Sequence, residues 1–311
     1  MPEHHTHGWK RHGKSGRWFR RLLTPQAIKN GFLGIVLLGI IGSLGMLGAF
    51  AYYSRNLPDP GQLTDRSVSQ TTKIYDRTGE HLLYEVHGDE NRTLVKIQEG
   101  FCKDDPSMET DPNGIPLVML EATITAEDRT FCTHGGFSYT GLARAVFFLG
   151  QRGGGSTLTQ QLVKNAILSN ERHLSRKIKE LILSIELERT YSKDQILQIY
   201  FNEIPYGSTY YGIQAAAGNY YGKEVKDLTL GQMATLAGIP KAPTTYLNNP
   251  DMLKFRRDYI LDEMVEQGFV TREAADAAKQ EDTSLAVKVT NIDAPHFVMY
   301  VKQQLEDLSF A

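Results

Sequence analysis

The chain has 311 residues, 41% hydrophobic and 23% charged, which excludes a wholly disordered chain, a collagen and a disulfide-rich miniprotein. A formal net charge of −2 leaves no global basic field, so no nucleic-acid partner is expected. The mean hydropathy of −0.34 hides a strong asymmetry along the chain.

Residues 1–29 form a basic tail in which Lys10, Arg11, Lys14, Arg17, Arg20, Arg21 and Lys29 face one acid, Glu3. Residues 30–54 carry no charged side chain. The apolar run at 32–53 would reach roughly 33 Å at about 1.5 Å per residue, the depth of a bilayer core. One uncleaved transmembrane helix is expected, its N-terminus in the cytoplasm and everything after residue 55 outside, because basic flanks stay inside. The location is then the cytoplasmic (inner) membrane, single-pass. A cleaved signal peptide is the alternative, but the run is too long for a typical apolar signal core and Tyr52–Tyr53 makes a poor cleavage site.

Residues 55–70, with Pro58 and Pro60, read as a stalk. TTKIYD and EHLLYEVHG flank Arg77-Thr78-Gly79, a hairpin signal. The acid-, Pro- and Gly-rich stretch 99–115 reads as a loop or insert. From 116 to 280 the pattern is dominantly helical. Ser192 with Gln195 and Thr229 with Gln232 make capping-box patterns. Residues 257–267 and 272–280 read as an αα-hairpin around Gly268. LAVKVT, at 285–290, returns to strand character, and a last helix comes after it. Cys102 and Cys132 lie on the oxidising side, where a bridge is allowed; spacing alone leaves both a disulfide and two thiols open.

Four constellations succeed one another in the helical region: 127–136 (EDRTFCTHGG), 153–165 (GGGSTLTQQLVKN), 171–180 (ERHLSRKIKE) and 192–207 (SKDQILQIYFNEIPYG). Gly153, Gly154 and Gly155 precede Ser156, Thr157, Thr159, Gln160 and Gln161. That is flexible backbone beside dense hydrogen-bonding groups, able to wrap a phosphate or a sugar. No Lys stands at Walker spacing after the glycines. Lys164 comes one helical turn after Gln160, and Arg172, Arg176 and Lys177 add positive charge. Glu127 and Glu180 flank the set. Two acids, several cations and a glycine-rich loop suit reaction at an anomeric carbon with a phosphate-type leaving group. Salt bridges on solvated helix faces are the plain alternative, and residue chemistry leaves both open.

The motifs resemble those of the peptidoglycan glycosyltransferases, glycosyltransferase family 51, found in class A penicillin-binding proteins and in monofunctional transglycosylases. The resemblance covers about residues 70–280. The family's E-D-x-x-F-x-x-H-x-G stands here as Glu127, Asp128, Phe131, His134 and Gly136. G-G-S-T-[IL]-T-Q-Q-x-x-K-N runs from Gly154 to Asn165. R-K-x-x-E is Arg176, Lys177 and Glu180, and K-x-x-I-L-x-x-Y-x-N is Lys193, Ile196, Leu197, Tyr200 and Asn202. LAGIPKAPTTYLNNP, at 236–250, is similar too. One departure is Ser138, where the family's first motif continues to an Asp. Cys132 and the insert 99–115 are also unusual for the family.

The resemblance implies a mainly α, lysozyme-like helical domain with a small β-hairpin, preceded by one transmembrane helix. It implies polymerisation of lipid II with a growing lipid-linked glycan: C1 of the donor muramyl sugar joins the C4 hydroxyl of the acceptor's terminal GlcNAc, with inversion, releasing undecaprenyl diphosphate. Glu127 is the implied base, because a sugar hydroxyl is a weak nucleophile. Lys164 and Arg172 are the implied cations for the leaving diphosphate, with Lys241 a third. Gln160 and Gln161 are expected on sugar or phosphate, and Ser156 and Thr157 along the donor site. Glu180 has three candidate roles there: orienting Lys164 and Arg172, holding a divalent ion such as Mg²⁺, or supporting the fold. No dedicated metal cage is legible. His134 reads as a structural residue under Glu127 rather than a second acid, Asp128 as structural or an orienter of the base, and Phe131 and Asn202 as support near the cleft. Residues 147–149 are either core or membrane-dipping. Expected partners are lipid II and lipid-linked glycan, the cytoplasmic membrane and cell-wall synthesis proteins.

Two other classes compete. A lytic, lysozyme-like enzyme shares the fold and a catalytic Glu but needs no diphosphate-binding cations. A non-catalytic membrane scaffold needs none of Glu127, Lys164 and Glu180. No S-x-x-K or K-T-G occurs, so no acyl-serine chemistry is expected within these 311 residues. The expected organisation is tail 1–29, span 30–54, stalk 55–70, catalytic domain 71–283, and 284–311 as the start of a linker toward an absent transpeptidase domain.

Overall fold

The computed structural model describes residues 25–53, 57, 72–86, 91–97, 99–103, 114–141, 155–168, 174–207, 210–286 and 294–309. Arg172, Gly153, Gly154, the stretch 104–113 and residues 147–149 lie outside them. The chain divides into two units, Met1–Asn56 and Leu57–Ala311.

In the first unit, helix α1 (Pro25–Tyr53) starts ahead of the expected residue 30. Its segment Ile28–Gly45 has a mean hydropathy of 1.7 with none of it buried, so it is long and apolar enough to cross a membrane. A helix that is apolar all round and exposed has no stable place in water.

The second unit opens with strands β1 (Thr72–Tyr75) and β2 (Leu82–Val86), paired antiparallel with Lys73 opposite Glu85. Their turn is where the sequence placed it. Asp76 Oδ1 accepts from the backbone N–H of Thr78 and Gly79 at 3.2 and 3.0 Å, the Asx arrangement that nucleates such turns. A short strand β3 (Asn91–Arg92) pairs in parallel with β4 (Tyr210–Tyr211).

Helices make up most of the rest: α2 (Leu117–Glu127), α3 (Leu158–Leu162), α4 (Leu174–Thr190), α5 (Lys193–Glu203), α6 (Ile213–Tyr221), α7 (Leu230–Gly238), α8 (Pro243–Leu247), α9 (Pro250–Glu266), α10 (Arg272–Gln280) and α11 (Pro295–Ser309). The mainly α class with one small hairpin is therefore the one observed. Both expected capping boxes are present, at Ser192 before α5 and Thr229 before α7. A third, Thr157 with Gln160 before α3, lies hidden in the glycine-rich motif.

Helix α2 is apolar around most of its circumference and buries Met119, Leu120, Ala122, Ile124 and two threonines. It is the central rod. α7 and α9 pack on it, and α10 packs on both of those. The αα-hairpin around Gly268 is confirmed, although its first helix begins at Pro250, where Asn249 caps the Met252 N–H. The expected strand at 285–290 is corrected in its described part. Leu285 and Ala286 form no strand, and the Ala286 N–H donates to the Tyr220 carbonyl at 3.1 Å. Cys102 and Cys132 form a disulfide with Cα atoms 5.1 Å apart.

Candidate active site

Glu127 is the last residue of α2, because Asp128 leaves helical geometry at φ −159° and ψ 79°. The helix thus delivers a carboxyl at the edge of the core. The Glu127 side chain is only 5% exposed. Its Oε2 accepts from Gln161 Nε2 at 2.8 Å, and its Oε1 from Arg256 Nη2 at 3.2 Å. The same Arg256 nitrogen donates to the Ala126 carbonyl at 2.6 Å. Arg256 reaches in because Gly238 has no side chain; a Cβ there would lie 2.9 Å from Arg256 Cγ. Burial pushes the Glu127 carboxyl up from its ordinary range. Gln161, Arg256 and Lys241 pull it back without cancelling the rise.

The loop after Glu127 is tied down by Asp128. Its Oδ2 accepts from His134 Nε2 at 2.8 Å and from the Leu158 N–H at 3.0 Å. His134 is therefore a strut of this loop. The helix does not continue to His134, so the two do not share a helical face. Gly136 sits at φ +90°, and a Cβ there would lie 2.5 Å from the Ser184 carbonyl oxygen, so only glycine fits. Thr157 Oγ1 donates to the Gly136 carbonyl at 2.8 Å. Phe131 is fully buried, with Lys193 Nζ 4.4 Å above its ring.

Glu180, on α4, is 1% exposed. Its Oε2 lies 2.6 Å from Lys177 Nζ and its Oε1 3.1 Å from Arg176 Nε. Lys177 also donates to Ser156 Oγ at 2.8 Å. This corrects one candidate role: Glu180 holds Lys177 and Arg176 rather than Lys164. As the candidate metal ligand it is already engaged by two cations, and among the described residues no group of three or more His, Cys, Asp or Glu gathers to hold a metal. Lys164 is exposed, in the π-helical turn Val163–Ile167, and forms no ion pair with a described residue. Arg172 lies outside the described residues.

Gln160 and Thr157 are buried. The Thr157 N–H donates to Gln160 Oε1 at 3.0 Å and the Gln160 N–H to Thr157 Oγ1 at 3.2 Å, the two halves of the capping box. Gln161 is turned toward Glu127. Asn202 clamps the chain beside β3, accepting from the Val95 N–H at 2.8 Å and donating to the Val95 carbonyl at 2.9 Å. Lys241 is exposed, yet close enough to Arg256 and Glu127 to feel both. Partial desolvation, then Arg256, pull its pKa down, and Glu127 opposes them.

Sequence reasoning missed Arg256, Tyr200's link to the acid, and Tyr206. Leu253, Arg256, Arg257 and Ile260 are all buried. That i, i+3, i+4, i+7 spacing marks Arg256 as a core arginine in need of a carboxylate. Tyr200 and Tyr206 are fully buried, and their hydroxyls have no partner among the described residues. Burial first, then the Glu127 charge, pushes both phenols up. On the Arg256 side a groove of about 540 Å³ is lined by Lys241, Tyr246, Asp251, Met252, Phe255, Arg256 and Tyr259.

A buried carboxyl held between an amide and a guanidinium, beside a groove that Lys241 and Arg256 line, defines a candidate acid–base site. Residues 93–265 match the family model described as Transglycosylase. That is more than half the chain, and the chain belongs to this family. It carries a glycosyltransferase domain of the kind found in class A penicillin-binding proteins, as the motifs implied. Penicillin-binding protein 1A of Rickettsia conorii is 38% identical over 267 residues, covering 82% of this chain and 31% of its own length. That of Pseudomonas aeruginosa is 36% identical over 270 residues, covering 84% and 31%. The chain thus spans about a third of the length of these curated relatives. A crystal structure of penicillin-binding protein 1A from Haemophilus influenzae aligns over 77% of this chain and 24% of its own, at 23% identity and a TM-score of 0.40.

Proposed function

We propose that this domain polymerises lipid II into glycan strands in bacterial cell-wall synthesis. The observation that carries the reading is Glu127: buried, raised in proton affinity, and held between Gln161 and Arg256. A carboxylate with raised proton affinity is a better base for an alcohol than an ordinary one. In the transfer, Glu127 takes the proton of the acceptor's C4 hydroxyl as its oxygen bonds to C1 of the donor sugar. The C1–O bond to the diphosphate breaks from the opposite face, inverting the centre, and undecaprenyl diphosphate leaves with the bonding electron pair. That departing charge needs cations already in place. Lys164 is exposed and forms no ion pair with a described residue, Lys177 is anchored by Glu180 and Ser156, and Arg172 lies between them in sequence; these are assigned to the donor. The groove beside Lys241 and Arg256 is assigned to the acceptor. Glu180 acts through Lys177 and Arg176 as an orienter. Helix α1 is assigned as a single membrane anchor, N-terminus inside, which keeps the domain at the surface where its lipid-linked substrates and other cell-wall synthesis proteins are found.

A raised carboxyl would also serve as the general acid of a lytic enzyme. Lys164, exposed and with no ion pair to a described residue, favours transfer. The test is incubation of the folded full chain in lipid vesicles with lipid II, with and without Mg²⁺. The expected products are glycan polymer and undecaprenyl diphosphate. No polymer in either condition sinks the proposal, and shortened glycan from finished sacculi would establish the lytic reading.

A further inference from the structure

Glu127 is the last residue of α2; the Asp128 N–H makes the closing helical bond, to the Ile124 carbonyl at 2.8 Å, and beyond it the helical ladder stops. The chain there makes a run of tight turns, the Phe131 N–H bonding the Asp128 carbonyl at 3.0 Å and the Thr133 N–H that of Thr130 at 2.9 Å. The disulfide enters in the middle of this run, at Cys132, five positions after the acid.

Its other end is anchored to a rigid element. Cys102 lies in the turn Phe101–Lys103. The segment leading into that turn is stitched along α5. The Val95 N–H donates to Asn202 Oδ1 at 2.8 Å, the Ile97 N–H to Gln198 Oε1 at 2.7 Å, and the Gly100 N–H to Asp194 Oδ2 at 2.7 Å. The bridge therefore fastens the turn behind Glu127 to α5. It closes a span of 30 positions that contains the whole of α2, and ahead of that helix the Ile115 N–H bonds the Lys96 carbonyl at 3.0 Å, on the same segment that is stitched along α5. Other contacts hold the same turn without a covalent bond: Asp128 with His134 and Leu158, the buried Phe131, and Lys193, which lies over that ring and pairs with Glu188 at 2.6 Å.

We propose that Cys102 and Cys132 are a positioning pair for Glu127: their bond holds the acid in its buried place between Gln161 and Arg256, and breaking it loosens the acid while the domain stays folded. The noncovalent ties keep the turn from unfolding. The loss is of the fixed distance between the end of α2 and α5, and with it the exclusion of water from the carboxyl. The bridge's role in turnover rests on Glu127 being the base; its role in placing the carboxyl does not.

Two routes break the bond. One is Cys102→Ala with Cys132→Ala in the full chain. The other is reduction of the folded wild type by an added dithiol: the disulfide gains two electrons and two protons to become two thiols, and the dithiol becomes its own cyclic disulfide. The first readout is the ionisation of Glu127, taken by isotope-edited infrared titration as the difference between each protein and its Glu127→Gln counterpart. Loss of the bridge is expected to move this pKa down toward the ordinary carboxylate range, as water reaches the group. The second is lipid II turnover. kcat is expected to fall about tenfold with KM within about twofold, since misplacement of a catalytic group costs rate rather than binding. Reoxidation of the reduced wild type restores both. Circular dichroism should show the fold retained. An unchanged Glu127 pKa in the reduced, folded wild type overturns the proposal, whatever the paired variant does. A wild type that shows the pKa change on reduction yet makes no polymer leaves this inference standing and removes the functional reading instead.

Discussion

Arg256 is the residue whose loss should be felt most directly at the acid. Its Nη2 stands 3.2 Å from Glu127 Oε1. At an effective dielectric of about 20 that separation is worth roughly 5 kcal/mol of attraction, and removing one partner of such a buried pair usually costs about 3–5 kcal/mol. Arg256→Met keeps the stem and removes the charge. Glu127 is already raised by burial, with Arg256 opposing the rise, so the variant's carboxyl must move further up. Lys241 remains nearby to limit the change, and the acid's pKa should climb by about 1–2. A base is competent only when ionised, so the acid limb of kcat should move to higher pH by that amount. Below it, turnover should fall about tenfold for each pH unit the limb has moved. Stability has the same sign. A carboxyl whose folded pKa is raised contributes stability at low pH that is lost as pH rises through the folded pKa. Arg256→Met should therefore unfold more readily than the wild type as pH increases. The assay is the pH–rate profile of lipid II polymerisation, with thermal unfolding at the same pH values. A uniform drop in kcat with the acid limb in place would refute the idea that Arg256 acts through the ionisation of Glu127.

Three further outcomes rest on local geometry. Gly136→Ala combines a φ of +90° with a Cβ 2.5 Å from a backbone oxygen, and should cost about 2–4 kcal/mol, read as a drop in thermal midpoint. Asn202→Ala removes the acceptor of the Val95 N–H, while the Val95 carbonyl keeps Gln198 Nε2; a loss of about 1–2 kcal/mol is expected, with faster amide exchange at Val95 as its local signature. Glu121, on α2, has a carboxyl raised by burial to about 7. The stability it contributes is present at acid pH and lost as pH rises through about 7. Glu121→Gln should therefore stabilise the protein above neutrality and not at acid pH, by about 1 kcal/mol once solvent screening of this half-buried group is allowed for. Equal effects at both pH values would contradict that.

Local signals are the legible part of the sequence. The hairpin turn and the capping boxes at Ser192 and Thr229 depend on residues close in the chain, and all form as expected. Thr157 with Gln160 obeys the same rule, but the glycine-rich motif around the pair suggests a substrate loop and masks it. The spacing of Arg176 and Lys177 before Glu180 is i, i+4 and i, i+3, which already places both cations on the acid; assigning Glu180 to Lys164 overlooks it. Arg256 is invisible for a different reason. It meets Glu127 across 129 positions, and only the packing of α9 on α2 brings them together. The disulfide has the same character, since bridge geometry depends on where α5 holds the Cys102 turn.

The mechanism turns on Glu127 acting as the base of a lipid II polymerising reaction. Wild type and Glu127→Gln, both in vesicles and both shown to be folded, can be compared for glycan polymer formed from lipid II. Polymer is expected from the wild type and at least about a hundredfold less from the variant, as loss of a general base usually costs, with lipid II still bound. Near-normal polymerisation by Glu127→Gln would contradict that role.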